Sequence, residues 1–293
     1  MTEQSTLKLL FIINPISGSN TTDWALVITD YFKNLKHFYA IHHFTKKCSI
    51  QTIKAKISEF SPQIVAAVGC NGTIKLVAEC LIQTNIVLGI IPAGSANGLA
   101  KELGISNNPS EALDTIIKGF SKNIHITNIN DQLCIHLSDI GLNAYAMKKF
   151  KTQHGRGMWG YFITSLKVLW QNPMMEISMK IDGKSIKMKA EMIVIANGRE
   201  YGTGAVINPE GKLNDELFEV IVIKQISVIE IFKMIFSHSP YDTAKTEIFQ
   251  TLSISMRSKK KVHFQIDGEY LGKVNEVKAI LIPDALQVIV PNV

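Results

Sequence analysis

Apolar residues in the first part of the chain follow two rhythms. Near-continuous apolar runs occur at 7–14 (LKLLFIIN), 63–69 (QIVAAVG) and 85–94 (NIVLGIIPAG). Runs of this kind read as strands buried on both faces, which have no polar side to show. Between and after them, apolar residues recur at helical spacing over 22–35, 48–60, 72–82, 96–104 and 109–119. Ser49 is placed to cap the second helix, Gly104 to end the fourth, and Pro109 to open the fifth. Strands that alternate with helices predict a parallel sheet covered on both faces.

The pattern changes near residue 123. Short β-branched runs follow, among them NIHITNI, EISMKID, KSIKMKAEMIVIANG, LFEVIVIK, TEIFQTLSISM, KKVHFQID and VKAILIP. Asp182-Gly183 within IDGK has the composition of a two-residue hairpin turn. Helical patterns interrupt the strands at about 143–171 and 226–236. In the first, Trp159, Phe162, Leu166, Leu169 and Trp170 recur at roughly helical spacing, as core packing requires. The expectation is an N-terminal parallel-sheet α/β domain over 1–123 and a C-terminal antiparallel β-sandwich or barrel over 124–283. A chain of 293 residues is long enough for both.

Composition narrows the class. Hydrophobic residues make up 46% and charged residues 19%, which excludes a disordered chain. No apolar run reaches the roughly 18–20 residues that span a bilayer, and LKLLFII reads as a first strand rather than a signal peptide. Cys48, Cys70, Cys80 and Cys134 form no CxxC pair, a usage that fits reduced thiols in a cytoplasmic protein. The eight histidines lack metal-binding spacing. Net charge is +6, with basic residues concentrated at 147–162, among aromatic residues, and at 257–261. Such stretches are either solvated faces or attract an anion: a nucleotide, a nucleic acid or an acidic membrane surface.

Candidate chemistry lies in three glycine turns at the C-terminal ends of predicted strands: NPISGSN (14–20), GCNGT (69–73) and PAGSAN (92–97). Open parallel sheets bind ligands at this edge. Glycine allows backbone to approach a phosphate, and helix starts offer N–H groups to it. None of the turns is a GxxxxGK[ST] loop or a GxGxxG loop.

INPISG, GCNGT, GIIPAGSANGLAKELGI, IANGREYGTG, NPEGKLNDELFEV and IDGE occur in this order along the chain. In that order they resemble the diacylglycerol kinase catalytic-domain family, which includes bacterial lipid kinases and sphingosine kinases. The resemblance runs from about Lys8 to Glu269. It implies an N-terminal α/β domain, a C-terminal β-sandwich, an ATP site in the cleft between them, and a terminal segment, 284–293, that returns to the first domain. It implies ATP and Mg²⁺ as cofactors, with a nucleotide and a lipid as partners. The basic, aromatic-containing stretch and the lack of a spanning run add an expectation of peripheral contact with anionic membrane, and no nucleic acid is expected. By residue, it places Asn14, Ser17, Gly18, Gly69, Asn71, Gly72, Thr73, Gly94, Ser95 and Asn97 at the nucleotide. Asp267 becomes the general base, with Glu269 beside it, and Asp215 matches an acidic position that holds magnesium in some members. The aromatic pattern at 159–170 gains an alternative reading as a wall for an acyl chain.

The second turn departs from the family's Gly-Gly-Asp-Gly-Thr. Cys70 stands for the second glycine, Asn71 for the aspartate, and Lys75-Leu76 for a following Asn-Glu. An amide cannot accept a proton at neutral pH and offers magnesium only a neutral oxygen. A β-carbon at 70 is expected to strain a turn that uses glycine-only angles. Lys75 is either a surface helix residue or a cation that partly replaces the metal. An ATP-dependent lipid kinase is the leading expectation, and a nucleotide- or lipid-binding member without transfer is the alternative. The third candidate, an NAD kinase, is disfavoured by SANGLA and YGTG.

Overall fold

The computed structural model describes residues 6–15, 22–44, 49–152, 157–169, 174–199, 201, 206–209, 211–227, 229, 242 and 244–292. The chain divides into two compact units, Met1–Ile124 with Asp284–Val293, and His125–Pro283.

In the first unit, β1 (Lys8–Ile13), β2 (Phe38–His43), β3 (Ile64–Gly69) and β4 (Val87–Pro92) form parallel pairs in the order β4-β3-β1-β2. All of β3, and all of β1 and β4 except the first residue of each, are buried, as the apolar runs require. β2 has exposed ends and a half-buried middle, because it is the edge strand, and FYAIHH accordingly lacks a continuous apolar run. Five helices complete the unit: α1 (Trp24–Phe32), α2 (Ile50–Phe60), α3 (Asn71–Leu81), α4 (Gly98–Glu102) and α5 (Pro109–Lys118). Ser49 caps α2 by accepting a hydrogen bond from Thr52 N, and Pro109 stands at the start of α5 behind the cap Asn108.

The last strand, β14 (Glu269–Val290), ends in this unit, where Val288 pairs in parallel with Leu88 of β4. Gly119, at the end of α5, is packed against that terminal segment. A β-carbon there would lie 2.3 Å from Val290 O and 2.5 Å from Thr115 O.

The second unit is mainly antiparallel. β5 (Phe120–Ile129) leads into it, followed by β6 (Gln132–Cys134) and β7 (Leu137–Gly141). Then come α6 (Leu142–Thr152) and α7 (Gly157–Leu169), two helices where the sequence pattern suggested one. Leu166 and Leu169 are half-buried, whereas the side chains of Trp159, Phe162 and Trp170 lie outside the described residues, as does most of the 226–236 pattern. β8 (Met175–Ile181), β9 (Lys184–Ala190), β10 (Met192–Ala196), β11 (Phe218–Ile223), β12 (Thr246–Thr251) and β13 (Ser253–Ile266) complete the sandwich.

β13 makes the corner. Its first half pairs with β8 and its last residues with β7, and the register against β14 shifts between Arg257 and Val262. Strands pass between sheets at such irregularities. Alternate residues of β8, β13 and β14 enter a core with Phe218, Val220 and Val222 of β11. Asp182-Gly183 and Asp267-Gly268 turn the β8–β9 and β13–β14 hairpins, with both residues of each pair at positive φ. No helix among the described residues is long and apolar enough to cross a membrane. Cys70, Cys80 and Cys134 form no disulfide among the described residues, and Cys48 lies outside them.

The crowding at Gly119 gives a first test. Gly119→Ala puts a methyl group on two backbone oxygens, so it should cost about 1–3 kcal/mol, as overpacking does. Urea unfolding would show the loss. Hydrogen exchange should quicken first in residues 285–290, and wild-type exchange there would refute the packing argument.

Candidate functional site

The three glycine turns begin where parallel strands end. Asn14, just past β1, donates its backbone N–H to Val68 O of β3 (2.9 Å), and its Nδ2 to Thr73 Oγ1 of α3 (2.9 Å). The chain leaves β3 at Gly69 and enters α3 almost at once, which brings Thr73 back onto the strand. A β-carbon on Gly69 would sit 2.5 Å from Thr73 Oγ1, so this glycine is required sterically. Gly72 faces open space within 4 Å of where a β-carbon would stand, so packing does not require it.

The second and third turns are joined. Ala93 N donates to Gly69 O (3.0 Å). Asn97 Oδ1 accepts from Gly94 N, and Asn97 Nδ2 donates to Asn107 Oδ1, both at 2.9 Å. Asn97 is buried at φ 52°, and its amide shapes the third turn from inside. Ser95 is exposed at the tip. Asn14, Gly69, Thr73, Gly94 and Asn97 are therefore assembled into one edge site, whereas Ser17 and Gly18 lie outside the described residues.

Cys70 corrects one expectation. Its backbone is extended, φ −85° and ψ 177°, so it is unstrained at the start of α3. The tight approach has moved to its neighbour: a β-carbon on Gly94 would lie 2.6 Å from Cys70 Cβ. No side chain caps α3, and Asn71 Oδ1 is buried without a hydrogen-bond partner. Lys75 and Leu76 are half-buried in the same helix.

In the second unit, Asp267 occupies the β13–β14 turn at φ 48°. Its Oδ1 accepts from His136 N (2.9 Å), Leu137 N (3.3 Å) and Cys134 Sγ (3.6 Å), and its Oδ2 from Ile135 N (3.1 Å). Its own N–H donates to Leu137 O (2.8 Å). The segment 134–137 thus wraps the carboxylate. Glu269 is exposed at the start of β14.

Two acids within apolar runs escaped the sequence reading. Asp139 of β7 is fully buried and accepts from Asn143 Nδ2 (2.5 Å), Gln265 Nε2 (2.6 Å), Ala144 N (2.9 Å) and Tyr201 Oη (3.1 Å). Gln265 also accepts from Gly268 N (2.8 Å), which links this hub to the Asp267 turn. Burial pushes the Asp139 carboxyl up to about 6, against the pull of its donors. Glu219 of β11 is buried between Asn208 and Gln250, and is raised by burial and then by the charge of Asp215. The available signal was an acid inside an apolar run, as in HLSDIGL and LFEVIVI.

Asp215 is half-buried. Its Oδ1 has no hydrogen-bond partner, and burial raises its carboxyl. An orphaned carboxylate oxygen fits a hard cation. Among the described residues no group of three or more His, Cys, Asp or Glu could form a protein cage. A single carboxylate would suit only a cation that keeps most of its water.

The family model of the diacylglycerol kinase catalytic domain matches residues 8–129, and that of the YegS C-terminal NAD kinase beta sandwich-like domain matches 139–290. A diacylglycerol kinase of Bacillus subtilis is 25% identical over 75% of this chain and 74% of its own length. One from Mycobacterium tuberculosis is 26% identical over 78% and 77%. The fold matches a diacylglycerol kinase structure from Bacillus anthracis, with TM-score 0.71, 19% identity and 97% and 96% coverage. It also matches an NAD kinase from Archaeoglobus fulgidus in complex with ATP, with TM-score 0.57, 12% identity and 96% and 93% coverage.

Two measurements probe the site. A carboxyl raised from 3.8 to about 6 binds its proton more tightly in the folded state. Its contribution is complete below pH about 4 and lost as pH rises through 6, a change on the order of 3 kcal/mol. Unfolding free energies of wild type and Asp139→Asn between pH 4 and 7 should diverge by that slope, and parallel curves would contradict it. Gly94→Ala should destabilise the first unit by about 1–3 kcal/mol. Cys70→Gly should restore part of the loss in denaturant unfolding, and strict additivity of the two changes would rule out the contact.

Proposed function

The chain belongs to the diacylglycerol kinase catalytic-domain family, and on that premise we propose that it is an ATP-dependent lipid kinase. It moves the γ-phosphoryl group of ATP to the hydroxyl of a diacylglycerol or sphingoid-type lipid. The reading rests foremost on one observation: the second and third glycine turns are locked to each other and to Asn14 by hydrogen bonds at the strand ends. A cradle that is rigid before the ligand arrives suits phosphate, because its N–H groups need no reorganisation.

In this reading Asn14, Ser17 and Gly18 form the first wall of the nucleotide site. Gly69, Asn71, Gly72 and Thr73 form the second, and Gly94, Ser95 and Asn97 the third. Asp267 takes the proton of the attacking hydroxyl on its carboxylate. Glu269 lies beside it in sequence. Magnesium, when bound, neutralises charge on phosphate, and Asp215 is the residue that would hold it. The protein works in the cytoplasm and meets its lipid at a bilayer surface.

Asn71 favours a second reading, a nucleotide- or lipid-binding protein without transfer. Its amide supplies neither charge nor a base where the family has aspartate. The unstrained backbone at Cys70 supports a turn that still binds.

Binding of labelled ATP with and without Mg²⁺, followed by phosphorylation of a lipid panel, separates the two. Asp267→Asn should cut turnover by roughly 10²–10⁴. It also costs the hairpin about 1–2 kcal/mol, because an amide nitrogen then faces Ile135 N, so folding is checked by circular dichroism. Cys70→Gly with Asn71→Asp and Leu76→Glu should raise turnover. Tight ATP binding with no transfer, even in the restored variant, would establish the second reading. Absence of ATP binding would defeat both.

A further inference from the structure

The outer side of β9-β8-β13-β14 carries a charge pattern that neither the glycine turns nor Asp267 uses. Met175, Ile177, Met179 and Ile181 of β8 enter the core, so Glu176, Ser178 and Lys180 face solvent. Strand register then sets the rows. Ser178 lies between Lys187 and Arg257, and Arg257 faces Glu276. Lys180 lies between Ser185 and Ser255, and Ser255 faces Lys278. Lys189 stands opposite Glu176, which also meets Lys259.

The two carboxylates are already engaged. Glu276 pairs with Arg257 (3.4 Å) and Lys278 (3.6 Å), and Glu176 with Lys259 (3.2 Å). Among the described residues, Lys180, Lys187 and Lys189 form no ion pair with an acid. The surplus of cations here accounts for much of the chain's net charge of +6. Ser178, Ser185 and Ser255 stand between the cations, and Glu176 and Glu276 are too few to neutralise the array.

At one end the face turns aliphatic. Ile280, two residues along β14 from Lys278 and opposite Ser253, is 54% exposed. Apolar side chains beside a cationic field are the elements of an interfacial membrane contact. A nucleic-acid surface would offer aromatic rings for stacking, and no outward position named here is aromatic.

We propose that this face docks the protein on an anionic lipid bilayer. Lys180, Lys187 and Lys189 meet headgroup phosphates, and Ile280 enters the interfacial layer. The inference deepens the lipid-kinase reading by naming how such an enzyme reaches a bilayer. It is measured without ATP, so its failure is distinct from a failure of phosphoryl transfer.

The test is co-sedimentation with vesicles of phosphatidylcholine alone or mixed with phosphatidylglycerol, at low and raised salt. Wild type should bind the mixed vesicles, release in salt, and leave neutral vesicles unbound. The triple variant Lys180→Glu, Lys187→Glu and Lys189→Glu should lose at least tenfold in partition, since each cation near the surface contributes roughly 1 kcal/mol and 1.4 kcal/mol is tenfold. Lys33→Glu, Lys36→Glu and Lys54→Glu, an equal charge change at exposed sites of the first unit, should bind as wild type does. Ile280→Ser should lose severalfold. Activity of the β8–β9 variant on detergent-dispersed lipid should stay at the wild-type level. Equal losses in both charge variants, no wild-type binding to the mixed vesicles, or preference for a single-stranded oligonucleotide would overturn the proposal.

Discussion

Gly69 has no room for a side chain, and the candidate phosphate cradle follows from that constraint. Because α3 begins directly after β3, Thr73 folds back over the end of the strand, 2.5 Å from where a β-carbon would be. Thr73 then receives Asn14 from the neighbouring strand end, while Gly69 O receives Ala93 N from the other side. Three chain segments far apart in sequence meet because a parallel sheet delivers every strand end to one edge. Departures from the family pattern at Cys70 and Asn71 leave this arrangement standing, since neither side chain replaces a hydrogen bond that holds it.

The carboxylates of the second unit show how one functional group takes different characters from its surroundings. Asp267 is wrapped by backbone donors of 135–137 at a turn. Asp139 is buried among side-chain donors and sits at about 6, where a change of protonation is within ordinary reach. Asp215 keeps an orphaned oxygen, and its charge also raises Glu219. Gln265 couples the first two by donating to Asp139 while accepting from Gly268 N. The turn that carries Asp267 is thus braced from the β7 side as well as by its own strand pairing.

Much of this was legible in the sequence, for identifiable reasons. Buried parallel strands announce themselves as apolar runs, so β1, β3, β4 and the turns that follow them could be read directly. The Asp182-Gly183 dipeptide marks the β8–β9 hairpin, because few other pairs tolerate two consecutive positive φ values. The edge strand β2 was hidden by its half-exposed side chains. The wrapping of Asp267 was hidden because its partners lie about 130 residues away in the chain, and no local pattern encodes such a contact. Asp139 and Glu219 could have been noticed as acids inside strands, but their donors could not have been assigned. At Cys70 the family's glycine does not signal a glycine-only conformation, since the extended backbone there suits any residue.

The path of β14 has a consequence for how the protein is made. Leu88 of β4 pairs with Val288, so the first unit lacks a strand until the whole second unit has been synthesised. On the ribosome, the N-terminal sheet must wait with the β4 edge uncovered, at the stage when unpaired strand edges are most prone to aggregate. Domain-by-domain folding during translation is therefore closed to this chain in its simplest form. A nascent chain stalled before residue 284 would present an unfinished nucleotide unit to chaperones, however complete its glycine turns.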